Sequence, residues 1–324
     1  MHNVKKLIAL LLIFGGLYAR AMAIAVPPGG SEKEGLLPVR KAMWSNRLRY
    51  KLLNDLAVVS ARLKLYPLAM KCYFKANFPD SLPGYMEKTN FLADTAFDEP
   101  ILDLDTNIAF FLPARNKATA KPAFNVESIP VKGGDICASF DDGKTASAYA
   151  ILVQVKQPSP GKRRSFTGIN NVGHMFITLI KYNTDNTVVY RSFGFYPNKS
   201  SILSATPLHP SSPSVFKDDI RHEWDELAGK FISPRRFRKL IEVLQSYEGR
   251  VYHLNHNNCT DFGLAMARLG GIDIADTRGT WPLGRGNNPA NAGQSLLEQK
   301  VNNSDEECPA PLLLTSIQPL RGSR

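Results

Sequence analysis

Between Gly173 and Tyr182 the chain offers water no face: Met175, Phe176, Ile177, Leu179 and Ile180 put apolar side chains on both sides of any strand built from them. A short run rich in aromatic and β-branched residues, apolar at odd and even positions alike, has to be covered above and below, so it belongs in the middle of a sheet enclosed by other layers. Two neighbouring runs share the composition, Ala148 to Lys156 and Thr187 to Tyr196, and Asn183-Thr184-Asp185-Asn186 between the last two is a hairpin turn composition. The expectation is a β-hairpin with a third strand before it. Between its first two strands lies a loop with Pro158, Pro160, Gly161 and the basic cluster Lys162, Arg163, Arg164.

Helical periodicity occupies other parts of the chain. From Gly35 to Ala76, Leu52, Leu53, Leu56, Val59 and Leu63 recur at three- and four-residue spacing, and Pro67 opens a second run through Met70, Cys72 and Tyr73. This predicts a helical hairpin. It faintly resembles one tetratricopeptide unit, but such repeats need about three copies to be stable, so it is read as an ordinary helix pair. Residues 78–131, rich in Pro, Asp and Asn with brief apolar runs such as Ile108 to Leu112, predict short strands and loops. After a Ser- and Pro-rich loop from Asn198 to Ser214, Ser233-Pro234 caps a helix that runs to Tyr247 and stops at Gly249. A short strand, Val251 to Leu254, precedes a second helix starting near Cys259 and ending at Gly270-Gly271.

The N-terminus reads as a leader. Lys5 and Lys6 precede an apolar run of 13 residues, Leu7 to Ala19, and Ala21-Met22-Ala23 forms an A-x-A cleavage pattern. A membrane span needs roughly 20 apolar residues, and no later stretch supplies them. The expected organisation is a signal peptide over 1–23, an N-terminal region with helical hairpin and short strands over 24–132, a second domain over 133–300, and a C-terminal tail over 301–324. An exported, non-membrane-spanning protein follows, in the periplasm, the cell envelope or the medium. Its 40 Lys and Arg against 29 Asp and Glu, a net charge of +11, favour contact with anionic surfaces.

The chemistry concentrates in two places: Gly173-His174-Met175-Phe176-Ile177 in the buried strand, and Tyr252-His253-Leu254-Asn255-His256-Asn257-Asn258-Cys259-Thr260-Asp261-Phe262 at a strand-to-helix junction. A cysteine in the first turn of a helix faces unsatisfied N–H groups and the positive end of the dipole, which favour thiolate over thiol. The same N–H groups can hold an oxyanion. His174 offers the proton carrier, since imidazole titrates near neutrality and is costly in an apolar strand unless paired. Taken singly, a core histidine and a buried or disulfide-bonded cysteine are the plainer readings of each. His256 is a weaker alternative base. His253, His256, Cys259 and Asp261 form H-x-x-H-x-x-C-x-D, whose spacings match no common zinc pattern, so no metal and no cofactor is expected. Arg235, Arg236, Arg238 and Lys239 on one helix, with Lys162 to Arg164, read as solvated basic faces without nucleic-acid motifs. Gly284-Arg285-Gly286-Asn287-Asn288-Pro289 lacks the Gly-Lys-Ser/Thr of a phosphate loop and reads as a mobile loop lining a cleft.

Gly-His-x-Phe-Ile on a strand, followed much later by Asn-Cys-Thr-x-Phe at a helix start, resembles the circularly permuted papain-like cysteine hydrolases and transferases, which include NlpC-type peptidases and lecithin retinol acyltransferase-like enzymes. The resemblance covers Ala148 to Gly271. It implies an α+β fold with an antiparallel sheet on the cysteine helix, Cys259 as nucleophile and His174 as base, and action on amide or ester bonds in cell-wall peptides or lipids. The family adds a third polar residue on the next strand. A hairpin pairing Tyr182 with Thr187 puts His174 opposite Phe195, so Tyr196 or Ser192 serves only if a bulge shifts the register. The expectation is therefore an exported amidase or peptidase using Cys259, His174 and, as third residue, Tyr196. Its alternatives are a lipid acyltransferase or esterase of the same fold, and a non-catalytic envelope interaction protein with Cys259 disulfide-bonded to Cys137 or Cys308.

Overall fold

The structure, a computed structural model, describes residues 37–77, 128–165, 172–198, 204–308 and 311–317. The expected signal peptide and the short strands around Ile108 to Leu112 lie outside the described residues. The chain divides into two compact units, Met1–Leu48 and Arg49–Arg324, and the following concerns the second.

Among the described residues, six helices and one large sheet make an α+β fold. The helices are α1 (Leu37–Arg62), α2 (Tyr66–Asn77), α3 (Gly133–Ala138), α4 (Pro234–Tyr247), α5 (Cys259–Leu269) and α6 (Pro289–Leu297). The sheet is formed by β1 (Ile129–Val131), β2 (Ala146–Lys156), β3 (His174–Asn183), β4 (Val188–Pro197), β6 (Ser214–Asp218), β7 (Glu226–Ile232) and β13 (Leu313–Ser316), in the spatial order β1-β6-β4-β3-β2-β7-β13 with every neighbour antiparallel. Three two-stranded ribbons complete it: β5 (Ser211–Ser212) with β8 (Tyr252–His253), β9 (Ile272–Ile274) with β12 (Val301–Asn303), and β10 (Arg278–Trp281) with β11 (Gly284–Asn287). The doubly apolar run is β3, the middle strand of seven, and all ten of its residues are buried. No helix among the described residues is long and apolar enough to cross a membrane.

Each face of β3 finds its cover. On one face Ile177, Leu179, Val153 and Phe193 form a core with Phe237 and Leu240 of α4, Phe262 and Met266 of α5, and Leu296 of α6. Helix α5 comes closest at Gly263, where a Cβ would lie 2.6 Å from Met175 Cγ, so any side chain there would push the helix off the strand. On the other face the Tyr182 hydroxyl donates to the Pro67 carbonyl at 2.8 Å and Phe74 meets Phe231 edge-on at 5.2 Å. Helix α2 is thus a layer over the sheet's own core.

Two expectations change. The Gly284–Pro289 stretch is no loop: it forms β11, then the Asn288 cap and first residue of α6, because Gly286 and Asn287 find ladder partners in Gly279 and Arg278. The β3–β4 register also differs by one residue. Tyr182 pairs with Val188, not Thr187. Asn183 N–H bonds the Thr187 carbonyl at 2.9 Å, closing a three-residue loop in which Asn186 takes the left-handed φ of 65°; this is the type I turn with a left-handed residue that three-residue hairpins favour. A one-residue change exchanges the faces of every side chain on β4, and with them the partner of His174.

Candidate active site

Helix α5 begins at Cys259 because Asn258 stops the preceding chain in an extended conformation (φ −104°, ψ −176°). The Asn258 side-chain oxygen accepts from the Thr260 and Asp261 N–H groups at 2.7 and 3.1 Å, and Asp261 Oδ2 accepts from the Asn258 N–H at 3.0 Å. This reciprocal box satisfies donors that would otherwise be orphaned at the helix start. Asn258 is in turn tied down by its Nδ2, which donates to the Leu254 and Asn287 carbonyls at 2.8 and 3.0 Å. The sulfur is therefore delivered at the first helical position, 7% exposed, at the positive end of the dipole.

His174 opens β3. The β3–β4 ladder ends at Ile177 and Phe193, so the chain at His174 and Met175 is released from β4 and turns its groups to α5. Among the groups that hold the Cys259 thiol below its ordinary value are the His174 imidazole and the Met175 backbone N–H, so sulfur and imidazole are electrostatic neighbours. His174 Nε2 lies 3.0 Å from Asp219 Oδ2, which leaves Nδ1 for the sulfur. The sequence-derived pair is thus brought together.

Asp219, immediately after β6, was not found by sequence reasoning. Its side chain is fully buried, and its second oxygen accepts hydroxyl donors from Tyr196 and Ser128, each at 2.7 Å. With the observed register Tyr196 reaches the His174 face without a bulge, and its ring lies 4.1 Å from the imidazole. Tyr196 does not hold the imidazole's nitrogen, however. It holds Asp219, and Ser192 bonds Thr178 at 2.6 Å instead. Space for the contact comes from Gly194, whose missing Cβ would collide with both the His174 ring and Asp219.

The electrostatics follow from this line. Burial alone would disfavour the imidazolium, yet the adjacent Asp219 carboxylate overrides it and raises His174 to about 9. Burial likewise pushes the Cys259 thiol up, but the neighbouring His174 imidazole and its charge, with the Met175 N–H, bring it below its ordinary value. Asp219 is kept low by His174 against the penalty of its burial. Both shifts act in favour of a thiolate and imidazolium pair backed by a carboxylate. Burial and the neighbouring Cys259 push the Tyr252 phenol well up, so it remains an O–H donor beside the cysteine. Tyr252 belongs to the junction motif, but nothing in its spacing marks that role.

The remaining candidates fall away from this line. His256 stacks on His253 at 3.6 Å between ring centres, on the exposed side of the turn. Among the described residues no three His, Cys, Asp or Glu side chains gather to hold a metal ion. Cys259 carries a free thiol and is in disulfide with neither Cys137 nor Cys308. Set against family models, curated proteins and solved structures, the chain returns no match, and the function has to be argued from this geometry.

Proposed function

We propose that the chain is an exported cysteine hydrolase of the permuted papain-like kind, acting on amide bonds, with Cys259 as nucleophile, His174 as acid and base, and Asp219 as the group that orients and charges the imidazole. The observation that carries this is a thiol at a helix N-terminus, lowered by a neighbouring imidazole that a fully buried carboxylate holds at 3.0 Å. Structural cysteines do not need such neighbours; activated nucleophiles do. The chain order, histidine strand before cysteine helix, and an antiparallel sheet packed on that helix support the family-level reading. The leader-like N-terminus and positive charge support export and peptides of an anionic cell wall as substrate.

In the reaction the Cys259 thiolate adds to the carbonyl carbon and the displaced electron pair goes to the carbonyl oxygen. In this reading the N–H groups of the first turn of α5, with the Tyr252 hydroxyl beside Cys259, supply the donors for that oxyanion. Collapse breaks the C–N bond, and the leaving amine takes the proton from His174 Nδ1. Neutral His174 then takes a proton from water as its oxygen adds to the thioester, and expulsion of the sulfur restores thiolate and imidazolium. Asp219 remains ionised throughout and keeps the ring in place.

An activated ester, p-nitrophenyl acetate, tests the acyl step and wall-derived peptides the amide specificity. The expected result is an acetyl adduct on Cys259 by mass spectrometry that turns over, with neither adduct nor turnover in Cys259→Ala and His174→Ala, both verified as folded by circular dichroism. Absence of an adduct in the wild-type protein overturns the hydrolase reading. Turnover of the ester without cleavage of any wall peptide would move the assignment to the esterase and acyltransferase branch.

A further inference from the structure

The turn between β8 and α5 carries a histidine that the reaction does not use. His253 and Asn257 are joined by two backbone bonds, from the His253 N–H to the Asn257 carbonyl at 3.0 Å and from the Asn257 N–H to the His253 carbonyl at 2.9 Å. Inside this turn the Asn255 N–H donates to His253 Nδ1 at 3.1 Å. A ring nitrogen that accepts a bond carries no proton, so the turn selects the neutral imidazole with its hydrogen on Nε2. The His256 ring stacks on it at 3.6 Å between centres. The turn is also continuous with the nucleophile's cap. Leu254, whose N–H is held by the Pro210 carbonyl at 2.9 Å, offers its own carbonyl to Asn258 Nδ2 at 2.8 Å, and Asn258 Oδ1 accepts from the two N–H groups that follow Cys259. Asn255 is seated against the β10–β11 ribbon, where Gly286 leaves room for its carbonyl and Gly284 for its side-chain oxygen.

We propose that His253 is a positioning residue for Cys259: neutral, it closes the turn that holds the Asn258 cap, and protonated, it opens that turn. A proton on Nδ1 converts the acceptor into a donor that faces the Asn255 N–H, so the bond is lost and two donors oppose each other. The Leu254 carbonyl is then no longer fixed, and with it goes one of the two bonds that orient the Asn258 side chain. The effect on reactivity rests on Cys259 being the nucleophile; the opening of the turn does not. The titratable and charged residues around His253 are His256 on its own turn, Asp261 on α5, the exposed Arg285 on β11 between the two glycines that seat Asn255, and the exposed His209 two residues ahead of β5, whose own Ser211 and Ser212 are neutral. Burial and His256 hold His253 below the ordinary histidine value against the pull of Asp261, which agrees with a ring bonded in its neutral form. A group lowered in this way contributes stability that is complete above its unfolded value of about 6.5 and is lost as pH falls through its folded one.

Nitrogen-15 NMR of the protein tests the turn, through the exchange protection of the Asn255 amide at pH 7 and pH 5 after correction for the intrinsic rate at each pH. Iodoacetamide alkylation of Cys259 at the same two pH values tests the coupling to the nucleophile. The conservative variant is His253→Asn, whose side-chain oxygen accepts the N–H two residues on and does not titrate; circular dichroism verifies its fold, and the wild-type comparison of the two pH values stands without it. Wild-type protection at Asn255 is expected to fall by about tenfold from pH 7 to pH 5 and to stay level in His253→Asn. Alkylation of the wild type is expected to match His253→Asn at pH 7 and to be about fivefold slower at pH 5, the worth of one weakened cap. Level protection in the wild type, or an equal fall in both proteins, overturns the proposal. A turn that opens in the wild type alone while the alkylation ratio stays constant overturns the positioning role. Alkylation no faster than that of a free thiol in both proteins overturns the hydrolase reading instead, with the amide comparison still deciding the turn, so the two proposals fail separately.

Discussion

Gly194→Ala should disable the site by adding one methyl group. A Cβ on Gly194 would lie 2.8 Å from His174 Cε1 and closer still to Nε2 and to Asp219 Oδ2, inside the 3.0 Å that real Cβ contacts respect. Restoring ordinary contact moves ring and carboxylate apart by roughly 1 Å, stretching the present 3.0 Å bond to about 4 Å. At an effective dielectric constant of about 20 that separation forfeits about 1.4 kcal/mol of Coulomb attraction, and losing the charge-assisted hydrogen bond about 2 kcal/mol more. Together they amount to about two pKa units or more, enough to return His174 from about 9 toward neutrality. The thiolate then loses its cation, and iodoacetamide alkylation of Cys259 at pH 6 should slow by about a hundredfold, with the thiol's titration midpoint moving up by a comparable amount. Stability makes the experiment more discriminating. In a strand with free space, Gly→Ala gains about 0.5–1 kcal/mol, so a raised melting temperature with an unchanged alkylation profile would refute the reasoning.

Asp219→Asn keeps the shape and removes the charge, and turnover on the acyl substrate should fall on the order of 10²–10⁴-fold, with the alkylation profile shifted to higher pH; an unchanged profile would leave Asp219 a purely structural carboxylate. The pH dependence of stability has a definite sign: His174 is raised, so its contribution is complete below its unfolded value of about 6.5 and is lost as pH climbs through about 9. The melting-temperature gap between wild type and His174→Ala should therefore shrink from pH 6.5 to 9.5, and a gap that widens contradicts the ion pair. Phe262 is fully buried among Phe193, Phe195, Phe216 and Tyr247 at 4.9–6.3 Å between ring centres, so Phe262→Ala should cost about 3–5 kcal/mol in denaturant titration and loosen the cysteine helix.

What local sequence could determine was the enclosed central strand, both caps, and a cysteine at a helix start, because each depends on residues within a few positions of one another. Alternating and continuous apolar runs report burial directly, and Asn258 before Cys259 and Ser233 before Pro234 report helix starts through bonds to the next two or three N–H groups. Strand β7 escaped notice because Glu226 and Lys230 interrupt its apolar run, and only the fold buries them, Lys230 against Asp305 at 2.9 Å. The β3–β4 register turned on whether the loop holds two central residues or three, a choice made by the left-handed φ of Asn186. Asp219 is 45 positions from His174. No spacing selects it from the other aspartates, since its role comes from β6 pairing with β4 and carrying the next residue beneath the imidazole. Cys259 and His174 were legible because each announces its own local chemistry; the carboxylate beside the imidazole was placed by the sheet, whose strand order brings together residues with no local reason to meet.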